Sequence, residues 1–128
     1  MPPTEPVVQR MQSLIDTWQA AGDRRFIFLS CYALMTRNML TAIEQRRFDD
    51  PAWVSALLHH FADYYFTAIA SYDQRLATTP AVWDFAFETC RQPHAHVIQH
   101  LILGVNAHIN YDLVFTLADL LTPEWPAL

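Results

Sequence analysis

Five residues at intervals of four, His96, His100, Gly104, His108 and Asp112, form the arrangement in this chain best suited to chemistry. On an α-helix each step of four turns by about 40° and rises by about 6 Å, so the five make a slanting stripe along one side. A pair at i and i+4 can hold one metal ion, as the two histidines of a helix-borne zinc motif do. Two pairs have that spacing, His96 with His100 and His108 with Asp112. They cannot share an ion, because His100 and His108 are about 12 Å apart along the axis. A metal, most simply a divalent transition metal, would need one pair plus ligands from another helix.

The pair His108 and Asp112 is the favoured site. It lies in the most apolar stretch of the chain, where an ionised carboxylate is costly unless it is paired or bound to a metal. Three chemistries fit the pair. It could be a buried hydrogen-bonded link in which the carboxylate fixes the imidazole tautomer. It could be a metal site with both groups as ligands. It could bind a small molecule or perform a hydrolytic or acid–base step, with His108 as base and Asp112 as its orienter.

Gly104 lies one turn before the pair, and a glycine inside a helix costs about 1 kcal/mol relative to alanine, so something is expected to approach the backbone there. A close helix crossing is the commoner reason and a ligand cavity the sharper one. Gly104 and His100 are therefore carried as ligand-binding candidates, with His96 and His100, near the start of the helix, expected to be partly solvated. Asn106 and Asn110, a second i,i+4 pair on roughly the opposite side, complete the candidate set. They would bond to neighbouring helices or line a second polar pocket.

Other candidates are weaker. His59 and Asp63 are spaced by four but sit opposite the apolar stripe of their helix, which reads as a solvated face; His60 and Tyr64 flank that stripe and point to an inter-helix cleft. Asp84 and Glu88 could lend carboxylates to a site, yet no Glu-x-x-His of the di-iron bundles occurs. Ser30 and Cys31 have no nucleophile motif around them. Cys31 and Cys90 read as two small buried thiols.

The elements that must position these residues are helical nearly throughout. Val8, Met11, Ile15 and Trp18 recur at three and four, predicting a helix near 5–21 with Thr4 as N-cap and Gly22 as its stop. Asp23 is expected to cap a second helix bearing Phe26, Leu29, Ala33, Leu40 and Ile43. Asp50-Pro51 and Thr79-Pro80 are cap-then-proline signatures that start the third helix, to about Leu76, and a short fourth helix carrying Trp83 and Phe87. Pro93 ends the fourth and opens a fifth, from about His94 to Leu121, that is apolar all round and so expected to be central and mostly buried. The last residues, Pro123 to Leu128, present a tryptophan and a leucine with nothing after them, which suits either the end of a bundle or a fragment of a longer chain.

Composition excludes several functions. The 128 residues contain two glycines, Gly22 and Gly104, and no lysine, so a P-loop, a dinucleotide fingerprint and Schiff-base chemistry cannot be built. The net charge of −5 with scattered arginines argues against nucleic acid as a partner. No basic-then-apolar leader opens the chain, and the early apolar run Phe26–Met35 stops at Arg37, short of the roughly 20 residues that span a bilayer. A cytoplasmic location, without a membrane span, is the expectation. A small-molecule ligand and a homo-oligomer remain open.

The segment Asn106-Ala107-His108-Ile109-Asn110-Tyr111-Asp112-Leu113, preceded by Gln99 to Gly104, resembles the signature of a bacterial family of uncharacterised all-helical proteins, a domain of unknown function. The likeness extends through Tyr32 to Arg37, Phe48 to Trp53 and Trp83 to Phe87, covering most of the chain. The resemblance implies that Asn106, His108, Asn110 and Asp112 belong together, and that members continue with further helices beyond this segment. It carries no assigned activity. The expected architecture is thus an all-α, single-domain bundle of about five helices with its central helix near residues 94–121.

Overall fold

The computed structural model describes residues 5–123, and all the regular structure among them is helical. Helix α1 is Pro6–Ala21, α2 Phe26–Glu44, α3 Pro51–Asp73, α4 Ala81–Thr89 and α5 Val97–Leu121. The all-α, five-helix expectation holds. The N-cap expected at Thr4 and the ending beyond Pro123 lie outside the described residues.

Local chemistry accounts for most helix ends. Pro6 is the first residue of α1, where its missing N–H is no loss, and Gly22 stops the helix at φ 70°, a left-handed conformation that glycine takes without a Cβ penalty. Asp50 accepts a hydrogen bond from the Trp53 N–H at 3.0 Å, and Pro51 follows it as expected. Two caps fall elsewhere. Asp23 accepts from the Arg25 N–H at 3.0 Å, so it braces the turn before α2, whose cap position is Arg25. Thr79 instead donates to the Leu76 carbonyl at 2.9 Å, and α4 begins one residue later than the dipeptide suggested. Helix α3 ends at Asp73, three residues before Leu76. Residues 90–96 form the connection into α5, which starts at Val97 with the Gln99 side chain accepting from the His96 N–H at 2.7 Å.

The core is formed by the inner faces of α1 to α4 with Ala107 of α5: Val8, Met11, Leu29, Tyr65 and Trp83 are among its most enclosed side chains. Arg25 fastens its edge, bridging to Asp23 and Asp73 at 2.7 Å each and lying 4.4 Å over the Trp18 ring.

Helix α5 departs from expectation in two respects. It is not uniformly α-helical, because His108–Asp112 form a π-helical turn in which the Leu113 N–H bonds to the His108 carbonyl five residues back. Nor is it mostly buried. Its enclosed residues are His100, Gly104, Ala107, His108, Asp112 and Thr116, so the polar stripe faces the bundle from His100 onward, while His96 is exposed. The apolar face is turned outward, with Ile98 66% and Ile102 59% exposed. An all-apolar helix need not be surrounded; here the four other helices cover one side only, and nothing else in the described chain reaches the other.

Helices α2 and α5 are both long and apolar enough to cross a membrane, at mean hydropathies of 1.4 and 1.3. The limit read at Arg37 does not hold, since α2 continues through it to Glu44. Core helices of folded domains pass the same test.

Candidate functional site

The site is built where α5 meets α2, α3 and α4. Gly104 allows the approach. A Cβ there would collide with Phe28 Cγ and stand 2.7 Å from Phe28 Cβ, so the close crossing anticipated at this glycine is with α2, and the aromatic ring of Phe28 fills the space. One turn on, the π turn sets His108 and Asp112 facing inward, 3% and 1% exposed. The Asp112 carbonyl takes a hydrogen bond from the Thr116 hydroxyl at 2.8 Å.

Asp112 has two partners. His108 Nδ1 lies 2.8 Å from Oδ2, and the Trp83 indole N–H donates to Oδ2 at 2.9 Å and Oδ1 at 3.1 Å. Donors on two sides satisfy a carboxylate that would otherwise be very costly to bury. Trp83 is the residue that sequence reasoning missed. Counted as an apolar core ring, it is also the one donor-bearing side chain of α4 that meets the carboxylate, and the need of a buried aspartate for a donor was the available signal.

His108 is held on its other sides by aromatic rings. Phe61 lies flat on it at 3.6 Å with the planes 5° apart, and Tyr32 stands 4.3 Å away. Burial lowers the His108 pKa from its ordinary 6.5, against the opposing pull of Asp112, so the imidazole is neutral at neutral pH. A neutral ring has one N–H. With Asp112 accepting at Nδ1, that proton sits on Nδ1 and leaves Nε2 with a lone pair, buried and without a hydrogen-bond partner.

Beside His108 an apolar groove of about 320 Å³ opens between α2, α3 and α5, lined among others by Phe28, Tyr32, Phe61 and Leu58 and rimmed by exposed Met35 and Val105. His108 is one of its lining residues, Asp112 is not, and His108 Nε2 itself is closed off from solvent. No lining side chain is an arginine, aspartate or glutamate. Among the described residues no group of three or more His, Cys, Asp or Glu side chains is placed to hold a metal ion.

The remaining candidates do not join this site. Asn106 and Asn110 are exposed and bond to each other at 2.8 Å, on the outward face of α5, so they line no pocket with His108. His100, expected to be partly solvated, is buried at 3% exposure with neither ring nitrogen partnered, and burial lowers its pKa. It does not line the groove. His59 bonds to the Ser55 carbonyl at 2.8 Å while Asp63 is exposed. Glu88 accepts from the Tyr72 hydroxyl at 2.7 Å, and Asp84 faces solvent. Cys31 and Cys90 are free and half-buried; burial pushes the Cys90 thiol up to about 11.

His60 and Tyr64 do reach another helix. Both bond to Asp119 of α5, His60 at 2.9 Å, in a surface cluster that was invisible without the fold. The Asp119 hydrogen bond pushes the Tyr64 phenol up to about 12, and the Tyr64 and His60 bonds hold the Asp119 carboxyl below its ordinary value.

The class defined by these features is a small all-helical protein in which a buried Trp–Asp–His chain of hydrogen bonds lies beside an apolar groove. The chain belongs to a family of unknown function (DUF5995), whose sequence model matches residues 4–127. No curated protein and no solved structure matches it.

Proposed function

We propose that this protein binds a small apolar molecule in the groove between α2, α3 and α5, with His108 and the aromatic rings around it forming part of the wall. The observation that carries this reading is the groove itself, an open space of about 320 Å³ whose lining is almost wholly apolar and includes His108. Asp112 fixes the His108 tautomer, and Trp83 keeps Asp112 in place. Binding ranks ahead of hydrolysis because the lining holds one base and no cation to stabilise a developing anion. The reading uses no metal.

A second reading is favoured by the completeness of the Trp83–Asp112–His108 chain, which ties α4 to α5 and could serve the core alone.

Titration with the uncharged fluorescent probe N-phenyl-1-naphthylamine separates them. Saturable fluorescence enhancement is expected, abolished by Val105→Trp or Leu57→Trp, each of which fills the groove. No saturable binding, or binding that both variants leave unchanged, would leave the pair as a core link.

A further inference from the structure

Helix α5 carries an apolar surface turned away from the bundle. Ile98, Ile102, Val105 and Ile109 follow one another at steps of four, three and four, the spacing of a helix–helix seam, and all four are exposed. A step of five then leads to exposed Val114 across the π turn, whose hydrogen bond reaches back five residues, so Val114 stays in line with the others. Met35 and Met39 of α2 stand across the groove mouth from Val105 and Ile109 and extend the same surface. Together these side chains leave about 700 Å² of apolar surface that nothing among the described residues covers, above the roughly 300–600 Å² of the largest patch on a typical monomer and near the ~800 Å² that each partner gives to a stable interface.

The chemistry of the face selects its occupant. Val97–Leu121 contains no arginine and the chain no lysine, while the two acidic groups of the helix are Asp112, which is buried, and Asp119, which is bonded to His60 and Tyr64. A lipid surface would call for basic residues beside the apolar stripe, and a chain of net charge −5 has none there to offer. The stripe is flanked instead by exposed Asn106 and Asn110. Their mutual bond runs from the Asn110 amide to the Asn106 carbonyl, which leaves the Asn106 amide as donor and the Asn110 carbonyl as acceptor. A donor and an acceptor side by side are self-complementary across a two-fold axis, and two copies of this face bring no like charges together.

We propose that the outer face of α5 is the interface of a homodimer, in which a second copy lies antiparallel across a two-fold axis near Val105 and Ile102 packs against Ile109 of the partner subunit. This does not depend on the groove holding a ligand.

Sedimentation equilibrium of the whole chain at physiological salt, from about 1 to about 300 µM, tests it. A mass twice the 14.8 kDa of one chain is expected, with a Kd of about 10 µM or tighter. Ile98→Glu and Ile102→Glu each place a charge on both copies of the seam and are expected to raise the Kd at least about 100-fold, with the circular dichroism of the single chain unchanged because both positions are exposed. Phe85→Glu, an equally exposed position on α4, is expected to leave the dimer intact. A single-chain mass throughout the range, or a dimer that both α5 variants leave intact, would overturn the proposal. Single chains that co-sediment with phosphatidylcholine and phosphatidylglycerol vesicles would overturn it in favour of a lipid surface.

Discussion

Replacing Trp83 by Phe removes one interaction and keeps most of the packing. The indole N–H donates to both oxygens of a carboxylate that is 1% exposed, while the ring is stacked on Phe87 at 5.1 Å and edges Tyr65 at 5.0 Å. A hydrogen bond to a charged group contributes about 1.5–3 kcal/mol, and the unfilled volume where the second ring stood adds about 1 kcal/mol. The expected loss is about 3 kcal/mol, or a fall of roughly 12 °C in Tm for a domain of this size. Urea unfolding followed by circular dichroism at neutral pH measures it. A double-mutant cycle with Asp112→Asn isolates the contact, because the amide still accepts from the indole but without the charge assistance that roughly doubles such a bond. A coupling of about 1 kcal/mol is expected. If Trp83→Phe costs the same in both backgrounds, or less than about 0.5 kcal/mol in either, the indole does not hold the carboxylate and the relay is misassigned.

Three further outcomes follow from the same geometry. Gly104→Ala is expected to lose about 1–2 kcal/mol net, since overpacking against the Phe28 side chain outweighs a helix-propensity gain of up to about 1 kcal/mol; a stabilised variant would refute the close crossing. The pH dependence follows from the lowered pKa of His108. Above about 6.5 neither state holds the proton, and below it the unfolded chain takes one up that the folded chain refuses, so stability falls towards acid by up to about 1.4 kcal/mol per pH unit until the folded value is reached. His108→Gln should flatten that slope by up to one proton in urea titrations at several pH values, and an unchanged slope would contradict it. Asp119→Asn should lower the urea midpoint at neutral pH but not once the wild-type carboxyl is protonated, because a depressed carboxyl stabilises only above its folded pKa; equal effects at both pH values would argue against the cluster with His60 and Tyr64.

Helix number and most boundaries were readable because caps and prolines act locally, as at Asp50-Pro51 and Gly22. The pairing of His108 with Asp112 was readable too, since spacing by four brings side chains together on any helix. What periodicity could not show was the π turn, which looks like ordinary helix when residues are counted at 3.6 per turn. Nor could composition tell which side of an all-apolar helix its neighbours would cover, and α5 turned its few polar groups inward and its isoleucines out. Asn106 and Asn110, grouped with the site by resemblance, lie on that outer face. Trp83 was passed over for a different reason, since a large ring invites an apolar reading even when its one donor is the decisive atom.

The central claim is that His108 is a neutral imidazole with its proton on Nδ1, donated to Asp112 in a hydrogen bond, and an unpartnered lone pair on the buried Nε2. Two-bond ¹H–¹⁵N correlation spectra of the histidine side chains at pH 7.5, with His108→Gln to assign the signal, test it directly. The account requires a protonated Nδ1 and an unprotonated Nε2 for His108, with the pattern lost in Asp112→Asn. A proton on Nε2, or an imidazolium with both nitrogens protonated, would contradict it.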